Sequence, residues 1–92
     1  MWARVARFDG DPADIDARIE RLRPVLESDP PAGLEGAKFM LLVDRDPGSA
    51  IGLAFFDTEE AMRRGDEAMN AGPGHAGSRA AVEFYEVPLH TL

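Results

Sequence analysis

Two apolar runs joined by a short turn dominate the pattern of hydrophobic and polar positions in this chain. The runs cover residues 38–43 and 50–56, and the turn at residues 44–49 contains a Pro-Gly pair. Apolar runs separated by a turn of this composition are typical of a β-hairpin. Both runs are apolar on both faces of the strand, which a sheet covered on only one side does not require. The hairpin therefore has more apolar surface than one layer of helices can cover.

A further strand is predicted near each end of the chain. Residues 2–8 are rich in apolar and β-forming side chains, and residues 79–87 form a mixed apolar and polar run that ends before a proline. Because successive side chains of a strand point to opposite faces, Trp2 and Arg4 share one face of the first strand.

The first helix is predicted to begin near Asp11 and to end before residues 29–31. Asp11 can cap this helix, and Pro12 suits its first turn, where no backbone N–H is needed. Pro24 lies inside the helix and removes one backbone hydrogen bond, which predicts a kink. The apolar residues recur at helical spacing and form one stripe, which comprises Ile15, Ile19, Leu22 and Leu26. This stripe is predicted to face a core.

The second helix is predicted to begin at residues 57–60 and to end at residues 70–74. Either Asp57 or Thr58 can cap its first turn. Gly65 lies in its middle, where a glycine either weakens the helix by about 1 kcal/mol relative to alanine or permits close approach to the sheet.

The predicted order of elements is β-α-β-β-α-β, within a single domain of residues 1–92. With right-handed crossovers this order gives a ferredoxin-like α+β sandwich, in which both helices lie on one face of a four-stranded antiparallel sheet. The other face must then meet solvent, a ligand or another chain. Because monomers rarely keep a large apolar patch exposed, we expect a homodimer whose sheets pack face to face.

Composition narrows the classes of function. The net charge of −7 disfavours nucleic-acid binding, because phosphates would be repelled. The chain has no cysteine, which excludes disulfides and thiolate metal sites, and we expect neither a metal nor a cofactor. It shows no signal peptide and no apolar run of the roughly 18 residues that a membrane helix needs. A cytoplasmic protein without membrane contact is therefore expected.

Five stretches distributed along the chain form a recognisable pattern, and they are residues 2–5, the helix after residues 10–12, residues 41–45, residues 56–61 and residues 82–87. Together they resemble the antibiotic biosynthesis monooxygenase-like group of the dimeric α/β-barrel superfamily. The resemblance covers nearly the whole chain and has structural motifs only. It implies two sandwiches whose sheets form a joint barrel, with a pocket between each sheet and its helices or loops.

Characterised members of the group that this chain resembles include cofactor-independent quinone-forming monooxygenases and haem-degrading enzymes. The haem-degrading members use an Asn on the first strand and a Trp and a His on the second helix. This chain has none of these at the corresponding positions, and His75 lies beyond the second helix.

Five residues are candidates for contact with a small aromatic or polyketide-like ligand. They are Trp2, Arg4, Met40, Phe56 and Tyr85. Trp2 can stack on a ring, and Tyr85 can donate a hydrogen bond. Strands 1, 2 and 4 bring such residues together only if they turn their larger side chains the same way. The alternative is packing in a dimer interface around an internal Arg–Glu pair.

Catalysis would require an anion-binding group and a proton carrier. Arg4 or Lys38 is a candidate to hold a phenolate oxygen, and Tyr85 or His75 to handle the proton. His75 alternatively is a solvated loop histidine. The leading hypothesis is a homodimer with a small-molecule pocket. A cofactor-independent monooxygenase that oxidises a phenolic substrate is the first alternative, and a non-catalytic structural or regulatory dimer is the second.

Overall fold

Four strands and two helices follow the predicted order in the computed structural model, which describes residues 1–28, 33–71 and 79–92. The strands are β1 (Trp2–Phe8), β2 (Lys38–Asp44), β3 (Ser49–Phe56) and β4 (Arg79–Glu86), and the helices are α1 (Ile15–Glu27) and α2 (Glu59–Ala71). A short 3₁₀ helix, Pro12–Asp14, precedes α1. The α+β class predicted from the sequence is confirmed.

The strands form one antiparallel sheet in the order β2-β3-β1-β4. β1 and β3 lie in the centre, and β2 and β4 form the two edges. This arrangement is compatible with a ferredoxin-like fold. At the middle of the sheet, Val5 pairs with Leu53 on one side and with Glu83 on the other.

The two helix starts differ in how closely they follow the prediction. Asp11 accepts a hydrogen bond from the backbone N–H of Ala13 at 2.9 Å, so it caps the 3₁₀ helix, and α1 follows that helix directly. At α2, the Thr58 hydroxyl accepts from the N–H of Ala61 at 3.0 Å. Thr58 therefore caps α2, and this settles the choice between the two predicted capping residues.

Gly65 allows α2 to approach the sheet closely. A Cβ at this position would lie 2.5 Å from the Phe56 ring, which is closer than real side chains come. The buried core lies directly beneath, and comprises Leu34, Ala54, Phe56 and Met62. Of the two roles predicted for Gly65, the close approach is therefore the one that the structure shows.

The hairpin turn between β2 and β3 packs against the start of the first helical segment. Gly48 has a φ of 104°, and its N–H donates to the Asp44 carbonyl at 2.9 Å. A Cβ on Gly48 would lie 2.5 Å from the Pro12 nitrogen. Glycine is needed here for both the backbone conformation and the space.

One face of the sheet lies under the helices and is called the covered face. Arg4 contacts α2, and the Arg18 guanidinium of α1 stacks over the Phe8 ring. The strand register then defines the centre of this face, which carries Ala6, Ala50, Gly52 and Ala54. The centre of the covered face is therefore built from small residues.

The opposite face has no helix over it within the described ranges and is called the open face. Its residues alternate with those of the covered face along each strand. The large apolar members are Val5, Met40, Leu42, Ile51, Leu53 and Phe55. At the middle of β3 the large apolar side chains are thus on the side without helices, whereas the large apolar residues of the covered face, Trp2, Phe8 and Phe56, lie near the ends of β1 and β3.

Candidate functional site

An open groove of about 330 Å³ lies between α1 and the edge strand β2. Five branched aliphatic side chains line it, and these are Ile19, Leu22, Leu26, Leu41 and Val43. Arg23 and Glu27 complete the lining. We call this feature the α1–β2 groove.

The groove arises because the apolar stripe of α1 extends beyond what β2 can cover. Ile15, at the first turn of α1, is fully buried, whereas Leu26 near the last turn is 47% exposed. Val43 on β2 is 37% exposed. The stripe predicted to face a core therefore does so at its start and lines an open groove at its end.

The charged groups at the groove are well solvated. Arg23 donates to the Glu20 carboxylate at 3.5 Å, and both side chains are more than half exposed. An exposed pair of this kind contributes little to stability and leaves both groups accessible to water. The groove can therefore take an apolar molecule and offers it polar contacts only at its margin.

The five residues predicted from the sequence to contact a ligand are divided between the two faces, with three on the covered face and two on the open face. Arg4 pairs with Ala54 and Phe84 in the register, which puts it on the covered face with Trp2 and Phe56. Met40 pairs with Leu53 on the open face. Tyr85 pairs with Ala3, also on the open face.

The predicted catalytic candidates are likewise separated. Lys38 pairs with Phe55 at the open face, whereas Arg4 lies on the other side of the sheet. Tyr85 shares the open face with Lys38, but the two lie on opposite edge strands. His75 lies outside the described residues.

Arg4 is buried and bound to α2. Its Nε donates to Oδ1 of Asp66 at 2.7 Å, and its Nη1 donates to the Met69 sulfur at 3.0 Å. The Arg4 side chain is 6% exposed and that of Asp66 is 22% exposed. The charge of Arg4 is therefore compensated within the fold, and the pair joins β1 to α2.

A cluster of three polar residues, Arg7, Glu83 and Tyr85, lies on the open face. Arg7 Nε donates to one Glu83 oxygen at 2.6 Å, and the Tyr85 hydroxyl donates to the other at 2.7 Å. These hydrogen bonds from Arg7 and then Tyr85 lower the pKa of Glu83 below its ordinary value of 4.5. The bond to Glu83 also raises the pKa of Tyr85 above 10.0.

Sequence analysis missed this cluster, although a signal for it was present. Strand alternation alone puts Arg7 on the face opposite Arg4, and puts Glu83 and Tyr85 together on one face of the last strand. Only the pairing of β1 with β4 shows that the Arg7 face of β1 and the Glu83 face of β4 lie on the same side of the sheet.

The described part of the chain contains neither a cluster of metal ligands nor a membrane-spanning helix. No group of three or more histidine or carboxylate side chains is close enough to hold a metal ion there. Within the same ranges, no helix has the length and apolar content needed to cross a membrane. Comparison with protein-family models, with curated proteins and with solved structures finds no match to this chain.

Proposed function

We propose that this chain is a homodimeric binding protein that holds a small apolar molecule in the α1–β2 groove. The main observation that supports the proposal is the groove itself, with its five aliphatic lining residues. Its volume of about 330 Å³ lies at the lower end of the range of roughly 300–1,000 Å³ found for ligand sites. A small aromatic or polyketide-like molecule is the ligand class that we propose.

The exposed apolar side chains of the open face are the basis for proposing a homodimer. Met40 and Leu42 are 41% and 44% exposed, and both belong to a continuous apolar surface with β3. A patch of this kind on a soluble domain marks an interaction site. Two sheets packed face to face would bury it and would form the dimeric α/β barrel that the resemblance implies.

The polar cluster on the open face is compatible with burial in such an interface. Glu83 accepts hydrogen bonds on both carboxylate oxygens, from Arg7 and from Tyr85. Buried charges are tolerated when they are paired and hydrogen-bonded. The cluster would therefore enter the interface with its principal charges already compensated.

Oxidation of a phenolic substrate has weaker support than binding. A monooxygenase of this kind needs a cation that is free to hold a phenolate oxygen. The Arg4 guanidinium is bound by Asp66 instead, and Lys38, the other candidate cation, lies on the opposite edge strand from Tyr85. The raised pKa of Tyr85 also makes its phenolate a less available base at neutral pH.

A titration with 2-naphthol, monitored by the amide chemical shifts of the protein, tests the binding proposal. We expect the shifts to concentrate at the groove residues, and we expect Leu26→Gln to weaken binding. Leu26 is 47% exposed, so its replacement should leave the fold intact. Leu89→Gln is the matched control, because Leu89 is 88% exposed and lies outside the groove.

Two results would contradict the binding proposal. One is the absence of shifts at millimolar probe, and the other is equal weakening by Leu26→Gln and Leu89→Gln. Oxygen uptake with a panel of hydroxylated anthrones and naphthols separates the enzyme alternative. Uptake that depends on the protein would favour oxidation over simple binding.

A further inference from the structure

The strand β2 pairs with β3 on one side, and its other edge has no strand partner within the described residues. It lies at the margin of the sheet, and its residues 39–43 are all apolar. Natural edge strands are usually protected by a central charge, a proline, a bulge or a covering element. Here the two charged residues, Lys38 and Asp44, lie at the ends of the strand and leave its middle unprotected.

We propose that β2 pairs antiparallel with β2 of a second copy, with the two-fold axis at Leu41. This pairing places Met40 opposite Leu42 and Leu41 opposite itself. It also places Lys38 opposite Asp44 of the partner subunit, and the symmetry repeats this ion pair once. The result is a continuous eight-stranded sheet across two copies.

The charges of Lys38 and Asp44 favour a second copy of this chain as the partner that pairs with the β2 edge. Lys38 and Asp44 lie on the same face of β2 because they are six positions apart. Lys38 makes no ion pair within the described residues. Asp44 accepts a hydrogen bond from the Asp46 N–H through one oxygen, which leaves the other oxygen to accept from a lysine.

The register follows from the same residues. A slip of one position would place Lys38 opposite Val43 and turn the apolar residues to the wrong face. A slip of two positions would remove both Lys38–Asp44 pairs. The strand is therefore self-complementary in one antiparallel register, which an unrelated peptide would match only by chance.

The same pairing would complete the α1–β2 groove. Leu41 and Val43 line the groove from the covered face. In the proposed pairing, the covered-face residues of the added strand lie beside them and close the outer side of the groove. The edge pairing is inferred only from residues of β2, however. It is therefore independent of the proposed ligand and of the proposed face-to-face dimer.

Single cysteines test the pairing directly, because the chain has none. Directly opposed residues of antiparallel strands have Cα atoms about 4.5–5.5 Å apart, within the range of a disulfide. Leu41→Cys should therefore form a covalent dimer under mild oxidation, seen on a non-reducing gel. Lys38→Cys should not, because the two equivalent positions would lie roughly 20 Å apart.

Leu53→Cys reports the other interface when it is treated with a bismaleimide that spans roughly 10 Å, the distance between packed sheets, since Leu53 lies in the centre of the open face. If the Leu53→Cys variant cross-links and the Leu41→Cys variant does not, the edge pairing is contradicted. The β2 edge would then be available to a strand of a different protein. Equal cross-linking of Leu41→Cys and Lys38→Cys would contradict the register. Circular dichroism of each variant ensures that the comparison is made on folded protein.

Charge reversal tests the two ion pairs. In the Leu41→Cys background, Lys38→Asp or Asp44→Lys puts like charges opposite one another twice, and we expect the cross-linked yield to fall about tenfold. The double reversal Lys38→Asp with Asp44→Lys restores opposite charges and should restore the yield. Failure of the double variant to recover would overturn the proposed pairing.

Discussion

The covered and open faces of the sheet differ in the size of the side chains at their centres. The covered face has Ala6, Gly52 and Ala54 between the sheet and the helices, and it also holds the buried Arg4. The open face has Leu53 and other large apolar side chains.

The difference shows that each face is suited to a different neighbour. On the covered face, Gly65 lets α2 lie close to the Phe56 ring, so this face is already packed against a helix of the same chain. Large residues on the open face gain most from a second apolar layer, since burial contributes roughly 25 cal/mol for each Å² of apolar surface. A second apolar layer over the open face is the arrangement that we propose.

The largest expected effect on the free energy of unfolding comes from replacing a methionine with alanine at the covered face and, for comparison, at the open face. Met62 on α2 is fully buried, and Met62→Ala should lower the free energy of unfolding by about 3 kcal/mol. Met40→Ala, on the open face, is the matched control. Met40 is 41% exposed, so we expect a loss of less than about 1 kcal/mol in dilute monomer. Urea denaturation measures both, and equal losses would contradict the distinction between the faces.

A smaller effect is expected from adding one methyl group beneath α2. Gly65→Ala should destabilise the fold by about 1–2 kcal/mol, because overpacking against the Phe56 ring exceeds the gain in helix propensity. Gly52→Ala is the control on the covered face. A Cβ there would lie 3.7 Å from the Phe8 ring, which is an ordinary contact. Thermal unfolding that shows Gly65→Ala to be as stable as the wild type would contradict the close approach.

The smallest effect concerns pH and the polar cluster of the open face. Glu83 has a lower pKa in the folded chain than its ordinary 4.5, so its stabilising contribution is present above that value. It is lost as pH falls through the lowered pKa. Glu83→Gln should therefore flatten the pH dependence of stability below about 4.5, and a wild-type pH dependence in this variant would contradict the role of Glu83.

Ultraviolet titration of the only tyrosine gives an independent reading of the cluster. In the wild type, Tyr85 should titrate above 10.0, and Glu83→Gln should move its pKa back toward that value. An unchanged tyrosine titration would contradict the hydrogen bond from Tyr85 to Glu83.

Features set by local sequence were predictable. The order of the elements follows from alternation and helical spacing, and the role of Gly65 was one of two open alternatives. The cap of α2 was also narrowed to two residues, of which Thr58 makes the hydrogen bond. The order and the cap depend on neighbours within a few positions of the chain, whereas the choice between the two roles of Gly65 depends on its contact with Phe56 and Leu34.

Features set by the register between distant strands were not predictable. Alternation shows which residues of one strand share a face, but not which faces of two strands coincide. Arg4 and Tyr85 were therefore considered together, although β1–β4 pairing puts them on opposite sides. The Arg7–Glu83 pair joins residues 76 positions apart. The width of the α1–β2 groove likewise depends on how far α1 extends over the edge strand.

Sedimentation equilibrium of the wild type and of Leu53→Lys tests the central claim, that a second copy covers the open face. We predict a wild-type mass of at least twice the 10.0 kDa chain, and a reduced mass for Leu53→Lys. Leu89→Lys, at an exposed position outside the sheet, should retain the wild-type mass. A wild type that sediments as a 10.0 kDa particle at micromolar concentration would contradict the claim.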